Sequence, residues 1–269
     1  MLENKLKGPV EDIIQWVDGL LNSVFGSVAV AHIRDELIEL RDHVAQLKPI
    51  VPELVQAAEI PRSWPGINLA HQYEGVMRDT INSYTIRFEQ AYADRLSRLQ
   101  MRVVGRVTEA AELGCVRAHR LKTYLRYAPL RRAPDQTQVD LQQVINGLND
   151  VRIDESATIP AMTANIEHIN WVLTELITNA NRFTPGITSL NVSHADDTIT
   201  VQVIDTGPGI VGGVQAHIFE PFYQQDPNGA GIGVGLPLAR HLIQLNGGTF
   251  DLQSNPDDGT TITLHFPAR

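Results

Sequence analysis

The chain of 269 residues holds a single cysteine, Cys115. One thiol excludes a disulfide framework within the chain and any CxxC metal site. A lone Cys inside a helical pattern reads as packing rather than as a nucleophile. Long apolar runs are also missing. The longest, Leu20 to Ala31, is about a dozen residues and is broken by Asn22 and Ser23, whereas a span needs about 20. Met1 is followed by a mixed charged segment and no apolar stretch, so no secretory signal is read. A cytoplasmic chain without a membrane segment is expected, whole or as a piece of a longer protein. Positive charge is in deficit: 22 Lys and Arg against 31 Asp and Glu leave −9 at neutral pH. That balance argues against a general nucleic-acid binder. Internal repeats and low-complexity tracts are absent as well.

The basic residues that are present cluster. Between Arg87 and Arg132 there are eleven Arg and Lys against four acids. The stretch reads either as a solvated helical face or as a docking face for an acidic partner. Helical spacing dominates the first half. Ile13, Ile14, Val17, Leu20 and Leu21 share one face, and Ile33, Leu37, Leu40, Val44 and Leu47 repeat the pattern. Pro49, Pro52, Pro61 and Pro65 then punctuate the chain, with Gly66 adding a break. A second helical block runs from about Leu69 to Ala128, with a hairpin break expected near Gly105 or Gly114. Pro129 ends it. After Pro134 the pattern changes to short strands between helices. Strands are expected at Leu190–Val192, Thr198–Ile204, Thr249–Ser254 and Thr260–Phe266. The last two are joined by the turn sequence Asn255-Pro256-Asp257-Asp258-Gly259. Helices fit from Val139 to about Asn149, over Asn165–Arg182 and over Gly235–Asn246. The fold class is α+β, divided as residues 1–65, a helical segment; 66–134, a helical hairpin; and 135–269, an α/β domain.

Four elements that carry chemistry follow in order. In Glu175-Leu-Ile-Thr-Asn179-Ala-Asn181-Arg182-Phe183-Thr184-Pro185, Glu175 and Asn179 are i and i+4 and share a helix face. A carboxylate beside an amide oxygen suits a hard cation such as Mg²⁺, and Arg182 on the next turn suits a phosphate. A polar helix edge explains the same residues when they are taken alone. In Val203-Ile204-Asp205-Thr206-Gly207-Pro208-Gly209-Ile210, a strand delivers Asp205 to its end, where it can accept from an exocyclic amine. Gly207 and Gly209 let backbone approach a flat ligand. The third element, Ile218-Phe219-Glu220-Pro221-Phe222-Tyr223, suits either a loop anchor or local core packing. The fourth, Gly229-Ala230-Gly231-Ile232-Gly233-Val234-Gly235-Leu236, runs into a helix, where free N–H groups and the dipole face an anion. It lacks the Lys-Ser/Thr of a P-loop and the context of a dinucleotide fingerprint. Together the elements describe a Mg-nucleotide site, with residues 211–230 as a lid.

This order resembles the N, G1, F and G2 boxes of the GHKL ATPases, specifically sensor histidine kinases, over residues 139–269. The resemblance implies a Bergerat-type α/β sandwich, a mixed sheet with helices on one face. It implies ATP and Mg²⁺ as cofactors. It places Asn179 on Mg²⁺, Asp205 on the adenine amine and Arg182 near the phosphates. Gly207, Gly209, Ile210 and Phe222 shape the pocket, Gly231, Gly233, Gly235 and Leu236 form the lid hinge, and Glu175 joins the catalytic set. It further implies a homodimer through the hairpin and a response-regulator receiver domain as phosphate acceptor. One departure stands out. None of the nine histidines is followed by an acid, the pairing that helps activate a phosphoacceptor imidazole. The stretch Met77-Arg78-Asp79-Thr80-Ile81-Asn82 is similar to the later half of a His box, with Gly75 in the His place; His71 lies one turn earlier. Around His43, a second box-like stretch puts Arg41 in that place, and Asn4 holds it in a third. Three functions are therefore expected in competition: a histidine kinase with His71 or His43 as acceptor, an ATP-binding regulator without autokinase activity, and a GHKL ATPase or serine kinase with Glu175 as base.

Overall fold

The structure is a computed structural model that describes residues 1–23, 31–59, 64–148, 151–155, 159–184, 188–226 and 229–268. Most of the apolar run Leu20–Ala31, together with Pro61, Asn149, Pro185 and Pro227, lies outside the described residues. The chain divides into two compact units. One holds residues 1–126 and 226–232; the other holds 127–225 and 233–269.

The first unit is helical: α1 (Leu2–Ser23), α2 (Ala31–Ala45), α3 (Ile50–Glu59), α4 (Trp64–Asp79), a π-helical segment (Thr80–Thr85), α5 (Ile86–Tyr92) and α6 (Arg98–Tyr127). Leu6, Val10, Ile13, Val17 and Leu20 are buried at spacings of four and three, the inward stripe of α1. Ile33, Leu37, Leu40 and Val44 do the same for α2. Pro52 and Pro65 sit in the first turns of α3 and α4, where an amide without a helical partner is no loss. Gly66 lies inside α4 and is not a break.

The hairpin turn is also displaced from its expected place. The chain reverses at residues 93–97, and α6 runs unbroken through Gly105 and Gly114. Ser97 and Gln100 explain the start of α6: Ser97 Oγ accepts from Gln100 N at 3.3 Å, and Gln100 Oε1 accepts from Ser97 N at 2.8 Å. This reciprocal capping box satisfies two otherwise unpaired donors. Gly114 serves packing instead. A Cβ there would stand 2.8 Å from Cγ of the buried Met77 on α4.

The second unit holds a two-stranded ribbon, β1 (Thr137–Val139) with β3 (Met162–Ala164), and a five-stranded sheet. The sheet order is β2 (Val151–Glu155), β4 (Thr188–Ala195), β5 (Thr198–Asp205), β7 (Gly259–Pro267) and β6 (Thr249–Asn255). The β2–β4 pair is parallel and the other pairs are antiparallel. Alternation assigns the faces: Leu190, Val192, Ile199, Val201, Val203, Ile262, Leu264 and Phe266 are buried, while Asn191, Thr200, Gln202 and Thr263 between them are more exposed. The buried face packs in one core with α7 (Leu141–Asn146), α8 (Ile166–Phe183) and α10 (Gly235–Leu245). Each such side chain contributes about 1.5–3 kcal/mol. A short α9 (Gly212–Gln215) follows β5. The helical region followed by a mixed α/β sandwich is the fold class expected.

Two caps fix the registers of the helices. Asp140 accepts from Gln142 N at 3.0 Å, and Asn165 accepts from His168 N at 2.9 Å. Asn246, just past α10, accepts from Asn165 N at 2.7 Å and donates to Leu242 O at 2.7 Å. The start of α8 is thereby tied to the end of α10.

Candidate functional site

The site is built within the sheet unit, from the C-terminal half of α8, the end of β5, the β6–β7 turn and the start of α10. The side chain of Glu175 is buried on α8. A Cβ on Gly235 would collide with its carboxylate, so Gly235 is the residue that lets α10 begin there. A negative charge at a helix N-terminus is favoured by the dipole. Val234 caps α10 without a side-chain hydrogen bond, and Pro237 carries no N–H. The first amides, of Gly235 and the half-buried Leu236, have no partner within the helix. Asn179, one turn beyond Glu175, is half-buried. Among the described residues, no three His, Cys, Asp or Glu gather around one point. A protein-only metal cage is not formed there, and a hard ion that keeps waters and phosphate oxygens suits this donor set.

Asp205 ends β5, and its Oδ1 accepts from Gly207 N at 2.9 Å. The turn thereby holds one carboxylate oxygen and leaves the other to accept from a ligand. Gly207 is walled closely. A Cβ would stand 2.9 Å from Asp205 Oδ1, 3.2 Å from Phe183 O and 3.3 Å from Thr184 Oγ1. Asp205 and the C-terminal end of α8 therefore converge on one small space. Thr184 is 7% exposed, and its hydroxyl has no hydrogen-bond partner among the described residues. Such an orphan costs about 1–3 kcal/mol. Its position beside Asp205 fits a polar ligand edge that supplies the missing bond.

The loop after Asp205 is clamped to the β6–β7 hairpin. Gly209 has φ +68°, and a Cβ there would collide with the Asn255 carbonyl. Ile210 N donates to Ser254 Oγ at 2.8 Å, and Asp257 N donates to Pro208 O at 2.9 Å. Gln215 Nε2 bridges Ile210 O at 2.7 Å and Ser254 O at 2.8 Å. The two ends of the loop 223–232 are joined by Phe222 N donating to Gly233 O at 2.8 Å. Phe222 holds φ +68° and Gly233 +75°, a strained setting for a bulky residue. Phe219 anchors the same corner, with the Arg240 guanidinium 4.1 Å from its ring centroid and Phe250 at 5.6 Å.

The expected residues thus fall into pairs in space: Glu175 with Gly235, Asp205 and Gly207 with the end of α8, Gly209 and Ile210 with the β6–β7 turn, and Phe222 with Gly233. Others stand apart. Arg182 is exposed, with its guanidinium 5.3 Å from the Phe183 ring centroid. Gly231 groups with the helical unit. His71 is exposed on α4, and the half-buried His43 on α2 lies 5.6 Å from the Tyr84 ring. Thr184, Gln215 and Ser254 were not singled out from the sequence. Thr184 lies within the motif that begins at Glu175, but nothing local marks its hydroxyl as unpaired.

Residues 164–269 match the model of the histidine kinase-, DNA gyrase B- and HSP90-like ATPases. The chain is 30% identical over 159 residues to the sensor protein DivL of Caulobacter vibrioides, covering 49% of this chain and 20% of that protein. It is 30% identical over 226 residues to the sensor protein IrlS of Burkholderia pseudomallei, covering 80% and 43%. The chain therefore spans less than half the length of either relative. Full-length ShkA, solved in complex with AMPPNP, shares the fold with a TM-score of 0.59 at 21% identity, over 75% of this chain and 45% of that one. Among the described residues, no helix is long and apolar enough to cross a membrane. Residues 164–269 are an ATP-binding domain of the histidine kinase-, gyrase B- and HSP90-like family, in a chain that is a relative of the sensor histidine kinases.

Proposed function

We propose that this chain is the ATP-dependent phosphotransfer portion of a two-component sensor kinase. In this reading the adenine amine donates to Asp205, and the base edge satisfies the Thr184 hydroxyl. Asn179 holds a Mg²⁺ that supplies charge neutralisation at the phosphates, and the amides at the start of α10 hold phosphate oxygens. Arg182 swings from the Phe183 ring to the phosphates. Catalysis is then mostly positioning and electrostatics. An imidazole nitrogen of His71 attacks the γ-phosphorus, the bond from that phosphorus to the bridging oxygen breaks, and ADP leaves. An Asp of a receiver domain takes the phosphoryl group next. The residue 66–134 hairpin is the dimer surface, and the cytoplasm is the compartment.

The observation that carries the nucleotide site is the unpartnered Thr184 hydroxyl beside Asp205 and Gly207. The observation that favours His71 over His43 is exposure on α4. His71 is i−4 to Gly75, so it shares a helix face with the box position, where an added Cβ would meet nothing within 4 Å. The burial of Glu175 against Gly235 argues against its acting as base on a water, and so against the ATPase reading.

A second reading has its own support. Gly75 in the acceptor position and the missing His-acid pair favour a regulator that binds ATP without transferring phosphate. Incubation with γ-labelled ATP separates the readings. An acid-labile, base-stable label on the chain supports the kinase. Nucleotide binding without label supports the regulator, and phosphate release without label supports the ATPase.

A further inference from the structure

A cavity within the helical unit has no part in the site described above. It lies between α2 and residues 80–87, has a volume of about 570 Å³, and is walled in part by Asp35, Glu36, Glu39, Asp42, Tyr84 and Arg87. Small-molecule sites span about 300–1,000 Å³. All of these residues belong to the same compact unit. Glu36 is the buried group among them, at 5% exposure, and its two carboxylate oxygens differ. Oε1 accepts from the Tyr92 hydroxyl at 3.0 Å and stands 2.7 Å from Arg87 Nη2 and 3.2 Å from His32 Nε2. Oε2 is buried and has no hydrogen-bond partner among the described residues. A carboxylate offers acceptor sites on both oxygens, and an unpaired buried one is costly. Arg87 and His32 are exposed side chains, free to swing aside and admit a donor to Oε2. His43 lines the same cavity, and its Nε2 is also buried without a partner. Glu36 and His43 are i and i+7, about 10.5 Å apart along α2.

The other acids define the shape of a ligand. Asp35, Glu39 and Asp42 follow at i, i+4 and i+7, a stripe along one face of α2. Arg41, 2.9 Å from Asp42, and Arg87 offset only part of this charge. Among the described residues, no three His, Cys, Asp or Glu converge on one point, so the stripe is not built for a compact metal ion. Negative charge spread over two helical turns suits a long cation with several ammonium groups. Tyr84, on the π-helical segment, adds a ring face for the methylenes between those charges. π-Helical turns recur at functional sites. We infer that this cavity binds a linear aliphatic polyamine, with one ammonium group donating to Glu36 Oε2 and the others lying along Asp35, Glu39 and Asp42. The site is separate from the ATP site and stands without it.

The full chain, without nucleotide, is titrated with spermidine by calorimetry at about 0.15 M salt, which screens diffuse attraction to an acidic chain. One saturable site is expected. Glu36→Gln is expected to weaken it roughly tenfold, the size of one lost charge-assisted hydrogen bond. Asp35→Asn combined with Glu39→Gln is expected to weaken it by a similar factor. Glu89→Gln removes an acid of α5 outside the cavity walls and is expected to bind as wild type. No saturable binding, or binding unchanged in either folded variant, overturns the site and leaves only diffuse screening. Displacement of spermidine by equimolar Mn²⁺ at constant ionic strength overturns it in favour of a metal ion. If Glu36→Gln does not fold, the double variant at the exposed Asp35 and Glu39 decides.

Discussion

Replacing Thr184 by Val is expected to move stability and nucleotide affinity in opposite directions. Thr184 follows α8 with φ −107° and ψ 125°, an extended conformation that Val also adopts readily. Its backbone N–H bond to Ala180 O at 3.0 Å is untouched by the exchange. The swap replaces a buried hydroxyl without a partner by a methyl of similar size. Relief of the orphan is worth about 1–3 kcal/mol, and the added apolar burial contributes in the same direction. Part of this is offset because the hydroxyl can turn toward imperfect partners, so a gain of about 1 kcal/mol is expected for the nucleotide-free chain. With Mg-ATP bound, the Val variant lacks a hydrogen bond that the Thr makes to the base. That loss of about 1 kcal/mol is roughly a fivefold weaker Kd. Thermal melting with and without nucleotide, together with direct titration, measures both. Loss of stability in the free chain would refute the orphan. A stabilised variant with unchanged affinity would refute the place of the hydroxyl in the adenine pocket.

Asp205→Asn keeps the Gly207 N–H bond through the remaining carbonyl oxygen but turns an N–H donor toward a donor amine. Mg-ATP affinity is expected to fall about 30-fold or more in titration, with little change in melting. Gly209→Ala imposes a Cβ at φ +68° against the Asn255 carbonyl; a loss of about 2 kcal/mol or more in chemical denaturation, with weaker nucleotide binding, is expected. Glu74 is buried, which alone would raise its carboxyl, but Lys122 at 2.7 Å and Arg78 at 2.6 Å outweigh burial and hold it below the ordinary 4.5. The folded value lies below the unfolded one, so this stabilisation is present above about pH 4.5 and is lost as pH falls through the folded value. Glu74→Gln is expected to lower stability at neutral pH by about 1–3 kcal/mol and to flatten the acid branch of a pH–melting profile.

The sheet unit was legible because its signals are local. Alternation in Thr198–Ile204 and Thr260–Phe266 marks buried faces, and Asn255 to Gly259 carries its own turn chemistry. The helix bearing Glu175 and Asn179 shows its apolar stripe in eighteen residues. What was missed depends on partners distant in sequence. Gly114 looks like a helix break until Met77 is seen against it, and the true turn near Ser97 has neither Gly nor Pro to mark it. The Ser254 and Gln215 clamp exists only once β6 lies beside the loop after Asp205. Glu36 reads as an ordinary charge in an amphipathic helix, because the phenol that reaches it is 56 residues away.

The most direct test of the phosphotransfer account is the identity of the modified residue. Wild-type, His71→Gln and His43→Gln chains are incubated with Mg-ATP, and acid-labile phosphorylation is mapped by peptide mass spectrometry under basic conditions. The account predicts phosphate on His71 in wild type and in His43→Gln, and none in His71→Gln. Phosphate on another residue, or nucleotide binding with no phosphorylated histidine in any chain, would contradict it.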